Sequence, residues 1–170
     1  MASREEILRR AYELGFKYER KYGGCTQCAI AAVFEALGLE VDESVFKAGT
    51  GLSGGLGLCG EGTCGALLGA SMVISYLYPR TRREFPYAEG KMQAAYRLVK
   101  ELVDRFLREY GGTSCERVQE RLFERSFDLW TEFDRFLEAG GRRDKCTDVV
   151  GKTAMWAVDI LLRAEELLEH

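Results

Sequence analysis

Six cysteines, at positions 25, 28, 59, 64, 115 and 146, carry the strongest chemistry in this chain. Four of them share one local setting. Cys28 follows Gly23-Gly24, and Cys64 follows Gly62-Thr63. Cys115 follows Gly111-Gly112-Thr113-Ser114, and Cys146 follows Gly140-Gly141 and a charged turn. Each break reads as a helix start with the cysteine in its first turn. Cysteines that serve only as small core residues would fall anywhere along a helix face. In a first turn, the unpaired backbone N–H groups and the helix dipole favour a thiolate. Arg142, Arg143 and Lys145 push Cys146 the same way. Thiolates attack disulfides and bind metals. Brought together, Cys28, Cys64, Cys115 and Cys146 make a four-sulfur set suited to an iron–sulfur cluster or zinc.

The remaining composition narrows the chemistry. The single histidine is His170, the last residue. Leu168-Glu169-His170 reads as the remnant of an affinity tag, which leaves residues 1–167 as one helical redox domain. Without a histidine in that domain, Ser-His or Cys-His nucleophiles and His-ligated zinc or haem are excluded. Cys25-Thr-Gln-Cys28 is followed by Ala29, where covalent haem attachment needs histidine. No second Cys-x-x-Cys follows, so zinc-ribbon spacing is absent.

The cysteines need elements to position them, and residues 49–69 are the most distinctive. Nine of these residues are glycine, and Cys59 and Cys64 lie among them. Glycine loses more backbone freedom on folding than any other residue, so such a run implies close approach of the backbone to another group. Residues 51–63 are expected to pack against the cysteine site. Gly65 is expected to touch whatever the cysteines hold, and Gly65 and Gly69 to contact a neighbouring helix. Gly55-x-Gly57-x-x-Gly60 matches a dinucleotide fingerprint, yet no strand pattern precedes it.

The other segments read as helices. Residues 3–20 carry Ile7, Ala11, Leu14 and Tyr18 on one face behind a capping Ser3. Residues 26–37 are nearly uncharged and stop at Gly38. A short helix from Asp42 or Ser44 fails at Gly49, and another runs from Cys64 to Tyr78. Residues 79–90 are a connection that contains Pro86. Runs with helical period follow at 91–110, 114–138 and 146–168; the second is open to a bend near Ser126. The aromatic set Phe123, Phe127, Trp130, Phe133 and Phe136 suits the core or the face of a homodimer. No alternating strand pattern appears. The fold class is all-α, a compact bundle of about six or seven helices with the glycine-rich loop at the cysteine site. A net charge of -3 disfavours general nucleic-acid binding. No apolar run reaches membrane-span length, and the charged N-terminus is unlike a secretion signal. A cytoplasmic, reducing compartment follows as the expectation, where cysteines serve metals or redox chemistry more than structural disulfides.

Cys28-Ala-Ile-Ala-Ala-Val, Cys64-Gly-Ala-Leu-Leu-Gly69, a lone Cys115 and Cys146-Thr-Asp-Val-Val together resemble the redox-active family named for its C…GCAxxG…C…C pattern. The resemblance spans roughly residues 20–165. The pattern is also similar to the non-haem part of split-Soret cytochromes, helical proteins for which an iron–sulfur site has been proposed. The resemblance implies that Cys28, Cys64, Cys115 and Cys146 are the functional set, with Cys25 and Cys59 as additions. Those two supply alternative ligands, form redox pairs as Cys25/Cys28 or Cys59/Cys64, or do nothing. Three functions stay open. One is electron transfer through an iron–sulfur cluster or other metal, with a redox partner the sequence does not name. Another is metal-free thiol–disulfide exchange. The last is a zinc-stapled interaction module.

Overall fold

The computed structural model describes residues 2–85 and 89–169; Pro86 and His170 lie outside them. The described residues form nine α-helices and no strand. These are α1 (Arg4–Lys21), α2 (Cys25–Ala36), α3 (Glu43–Ala48), α4 (Gly65–Leu77), α5 (Glu89–Tyr110), α6 (Cys115–Phe123), α7 (Phe133–Glu138), α8 (Cys146–Leu162) and α9 (Ala164–Leu168). The all-α class holds. The count exceeds six or seven because two expected runs break. The 146–168 run breaks at Arg163 into α8 and α9. The 114–138 run ends α6 at Glu124, whose φ is +60°. Residues 124–132 then turn on side-chain hydrogen bonds: Gln119 Oε1 accepts from the Phe127 N–H at 2.7 Å, and Asp128 Oδ1 from the Trp130 N–H at 2.9 Å.

α1 begins with a capping box. The Glu6 N–H donates to Ser3 Oγ at 3.2 Å, and the Ser3 N–H donates back to Glu6 Oε2 at 2.7 Å. Such a cap stabilises a helix by about 1 kcal/mol. α1 lies along α8, and α2 along α4. Glycines let both pairs approach closely. A methyl on Gly15 would come within 2.9 Å of the Val150 carbonyl oxygen, and one on Gly151 within 2.9 Å of the Tyr12 ring. Gly69 would strike the Thr26 carbonyl in the same way. The core between these pairs holds Ile30 and Phe34 of α2, Ile74 of α4, Leu98, Leu102 and Phe106 of α5, and Ile160 of α8. Each such side chain contributes roughly 1.5–3 kcal/mol through removal from water. Asp159 of α8 ties the layers together by accepting from Arg105 of α5 at 2.8 Å and from Arg4 of α1.

Between α3 and α4 the chain makes a left-handed excursion. Residues 54–58 all have positive φ, including Leu56 at +66° and Leu58 at +63°. Side chains with a Cβ adopt this region at a cost of order 1–3 kcal/mol. Five local backbone bonds hold the turn, among them the Gly57 N–H to the Gly51 carbonyl at 2.8 Å and the Gly60 N–H to the Gly54 carbonyl at 2.9 Å. Gly55, Gly57 and Gly60 thus sit in a left-handed loop with no strand before it among the described residues.

A second, smaller cluster forms around the bend in the aromatic run. Phe127, Leu129 and Phe136 pack apart from the main core, with Phe123, Leu58, Cys115 and Cys146 against them. Trp130 is not part of it: its side chain is exposed, and Nε1 donates to the Gly57 carbonyl at 3.0 Å.

Candidate functional site

Four cysteines stand at the starts of four helices, and they line one cavity of about 230 Å³. They are Cys25, Cys64, Cys115 and Cys146. Cys25 is the first residue of α2, directly behind Gly24, which needs φ +81° to turn the chain in. Cys64 is the capping residue of α4. Cys115 opens α6 behind Ser114, whose hydroxyl accepts from the Arg117 N–H at 3.2 Å. Cys146 opens α8 after a single π-helical turn, Gly141–Lys145. Two of these starts are stitched to each other. The Cys64 N–H donates to the Thr113 carbonyl at 2.7 Å, and the Cys115 N–H to the Gly62 carbonyl at 2.9 Å.

Cys28 is not among the residues that line this cavity, whereas Cys25 is. Helix geometry explains the difference. Three residues along α2 carry a side chain about 4.5 Å down the axis, so Cys28 lies a turn too deep. Its thiol donates to the Gly23 carbonyl at 3.1 Å and borders a neighbouring groove with Tyr18, Gln27 and Glu35. Cys59 is exposed on the left-handed loop, where its thiol donates to the Gly55 carbonyl at 2.8 Å. All six cysteines are free thiols, in neither the Cys25/Cys28 nor the Cys59/Cys64 pairing. Gly65 is not among the cavity-lining residues. It backs onto Cys25: a methyl there would collide with Cys25 Sγ and lie 2.6 Å from Thr26 Oγ1.

Two cavity residues, Glu19 and Gln119, escaped the sequence reading of the site, and Arg142, read there only beside Cys146, takes a further contact. Glu19, on α1, is buried, with Oε2 lacking any hydrogen-bond partner. Ala11, Gly15 and Glu19 form the buried stripe of α1 at steps of four, so an acid on that stripe was the available signal. Gln119 is buried and positions Cys115, with Nε2 donating to its sulfur at 3.3 Å. Arg142 lines the cavity too, and its Nε donates to the Glu19 backbone carbonyl at 3.1 Å. From the loop, Ser53, Gly54 and Leu58 also reach the cavity.

The electrostatics reverse the expected thiolate character. Burial pushes the Cys25 thiol up to about 12, and the nearby Glu19 carboxyl adds to this against hydrogen bonds from the Gly54 backbone and Ser53. Burial also raises Cys64 and Cys146 well above the ordinary thiol range, and it raises Cys28 and Cys115. At Cys64 the Ala66 and Leu67 N–H groups of the helix start act in the expected direction, but desolvation outweighs them. Burial likewise lifts Glu19 to about 7, opposed by Cys28 and Arg142. Around neutral pH the four cavity cysteines are therefore neutral thiols when nothing is bound.

The sequence profile of the family described as "putative redox-active protein (C_GCAxxG_C_C)" matches residues 24–160. The chain belongs to this family. Membership in the C_GCAxxG_C_C family supports a redox-related role. The matched span holds all six cysteines and begins one residue before Cys25, so Glu19 lies outside it. No curated protein and no solved structure matches the chain. No helix among the described residues is long and apolar enough to cross a membrane.

The donor chemistry fits a soft metal. Four sulfurs, no histidine and one unpartnered carboxylate oxygen share a cavity with room between them. Among the described residues no three such donors stand close enough around one point to hold an ion as they are.

Proposed function

We propose that the chain is a redox protein that holds an iron–sulfur cluster or another soft metal through Cys25, Cys64, Cys115 and Cys146. The supporting observation is that four separate helices each present their starting cysteine to one cavity. When bound, the group would supply one-electron chemistry, with a potential tuned by hydrogen bonds and burial. The chain's own residues supply the rest. Gln119 orients Cys115. The apolar wall from Val118, Leu129, Phe136, Val149 and Val150 excludes water. The glycine-rich loop closes one side, because its left-handed turn lets Ser53 and Gly54 approach Cys25.

Metal-free thiol exchange is the weaker reading. Exchange proceeds through the thiolate, and burial suppresses that form at all four cavity cysteines. A metal reverses the balance, since it binds thiolates and supplies the missing positive charge. Anaerobic purification of untagged protein, with iron, zinc and sulfide analysis and a visible spectrum, tests the proposal. Brown protein with iron and sulfide supports the cluster. Colourless protein with stoichiometric zinc favours the stapled module. Colourless, metal-free protein that gains no metal on reconstitution overturns the proposal.

A further inference from the structure

Glu19 is the acid of the cavity: the Cys28 thiol faces its carboxyl, yet one carboxyl oxygen is left over. Its side chain is 5% exposed, and Oε2 is buried without a partner. The nearest cation, Arg142, spends its Nε on the backbone carbonyl of Glu19 and makes no ion pair with the carboxylate. Arg142 and the Cys28 thiol only partly offset the burial of this carboxyl, and a bound cation removes the remaining penalty. Glu19 lines the same cavity as the four sulfurs, and α1 brings it in from outside the family's matched span. Carboxylate oxygen and thiolate sulfur are both ordinary ligands of borderline-soft divalent metals.

We infer that Glu19 Oε2 is itself a metal ligand, which makes a mixed donor set of cysteine sulfur and one carboxylate oxygen from five segments of the chain. This rests on the cysteine-site reading above. It assigns Glu19 the task of fixing which metal geometry the cavity accepts. A pure four-sulfur site selects tetrahedral coordination, whereas an added oxygen permits a further ligand or replaces one sulfur.

Cobalt(II) added anaerobically to the metal-free full chain is the probe, because its visible d–d bands report geometry and its near-ultraviolet charge-transfer band reports bound sulfur. Glu19→Gln is expected to shift the d–d bands and weaken cobalt binding at least about tenfold, with the charge-transfer band retained. Glu19→Asp, which keeps the carboxylate on a shorter arm, covers the case in which Glu19→Gln does not fold; it too must shift the d–d bands. Variants with wild-type bands and wild-type affinity overturn the inference. So does Glu19→Gln with lost thermal stability and unchanged bands, which would assign Glu19 to Arg142 instead. The four Cys→Ser variants separate the two readings. If none of them reduces the charge-transfer band, or wild type has none, the cysteine site fails and this inference with it. If they reduce it and Glu19→Gln changes nothing, only this inference fails.

Discussion

Gly65 and Cys25 meet across the α2–α4 contact so closely that a single methyl on Gly65 would collide with Cys25 Sγ. The missing side chain on one helix therefore sets the place of a sulfur on another. The next atoms are Thr26 Oγ1 and the Ser53 backbone, so relief of the collision must move the Cys25 sulfur and the Thr26 hydroxyl against a backbone wall.

Gly65→Ala is therefore expected to cost about 1–3 kcal/mol through overpacking and to reduce metal loading. Gly69→Ala presses on the Thr26 carbonyl and Ala29 instead. It should lower stability while it leaves loading of the folded fraction intact. Denaturant titration together with metal content per chain checks both. Wild-type stability in Gly65→Ala would contradict the contact.

Cys25→Ser should weaken metal binding at least about tenfold, whereas Cys28→Ser should have a much smaller effect, because the Cys28 thiol donates to the Gly23 carbonyl, borders a different groove and reaches the site only through the Glu19 carboxyl. Competition with a chromophoric chelator measures both. Equal loss in the two variants would restore Cys28 to the site.

That contrast shows where the sequence was legible and where it was not. Glycine breaks announced the helix starts, and the first-turn rule applied strictly picks Cys25, which directly follows Gly24. The Cys-x-x-Cys spacing offered two sulfurs, and the resemblance was quoted from Cys28. Which one faces the cavity depends on the depth of α2 against α4, a tertiary quantity. Glu19 was readable as an acid on a buried stripe. The break near Ser126 was open in the sequence; the shape of the turn at 124–132 was not, since Phe127, Trp130 and Phe133 keep helical spacing while Gln119 and Asp128 bond the backbone into another shape. Thiol protonation was misjudged for a related reason: the dipole can be read locally, but burial can be known only once the helices have packed.

The buried carboxyl makes the metal-free protein pH-sensitive. With its folded value raised to about 7 from 4.5, Glu19 contributes stability that is fully present below about 4.5. That stability is lost as pH rises towards about 7. The loss amounts to about 3 kcal/mol from the size of the shift. Wild type minus Glu19→Gln stability, measured by urea denaturation from pH 4 to 8, should trace this fall and level off above it. A flat difference would mean that the carboxyl is not desolvated.

Metal uptake should release protons, because burial keeps the Cys25, Cys64, Cys115 and Cys146 thiols protonated beforehand. Apparent affinity should then rise steeply with pH between 6 and 8. Calorimetry in buffers of different ionisation enthalpy counts the protons. Uptake without proton release would show that the thiols were already ionised.

The placement of each sulfur at a helix start also sets a timetable for the nascent chain. Cys25 and Cys146 are 121 residues apart, and Cys146 opens α8, which packs against α1 and α2. During synthesis, the early helices leave the ribosome with their cysteines and no fourth wall to enclose them. A complete cage exists only after the last long helix has docked. On the proposed metal-binding reading, capture is thereby a late event, and a loaded centre would certify a chain whose first and last long helices have already found each other.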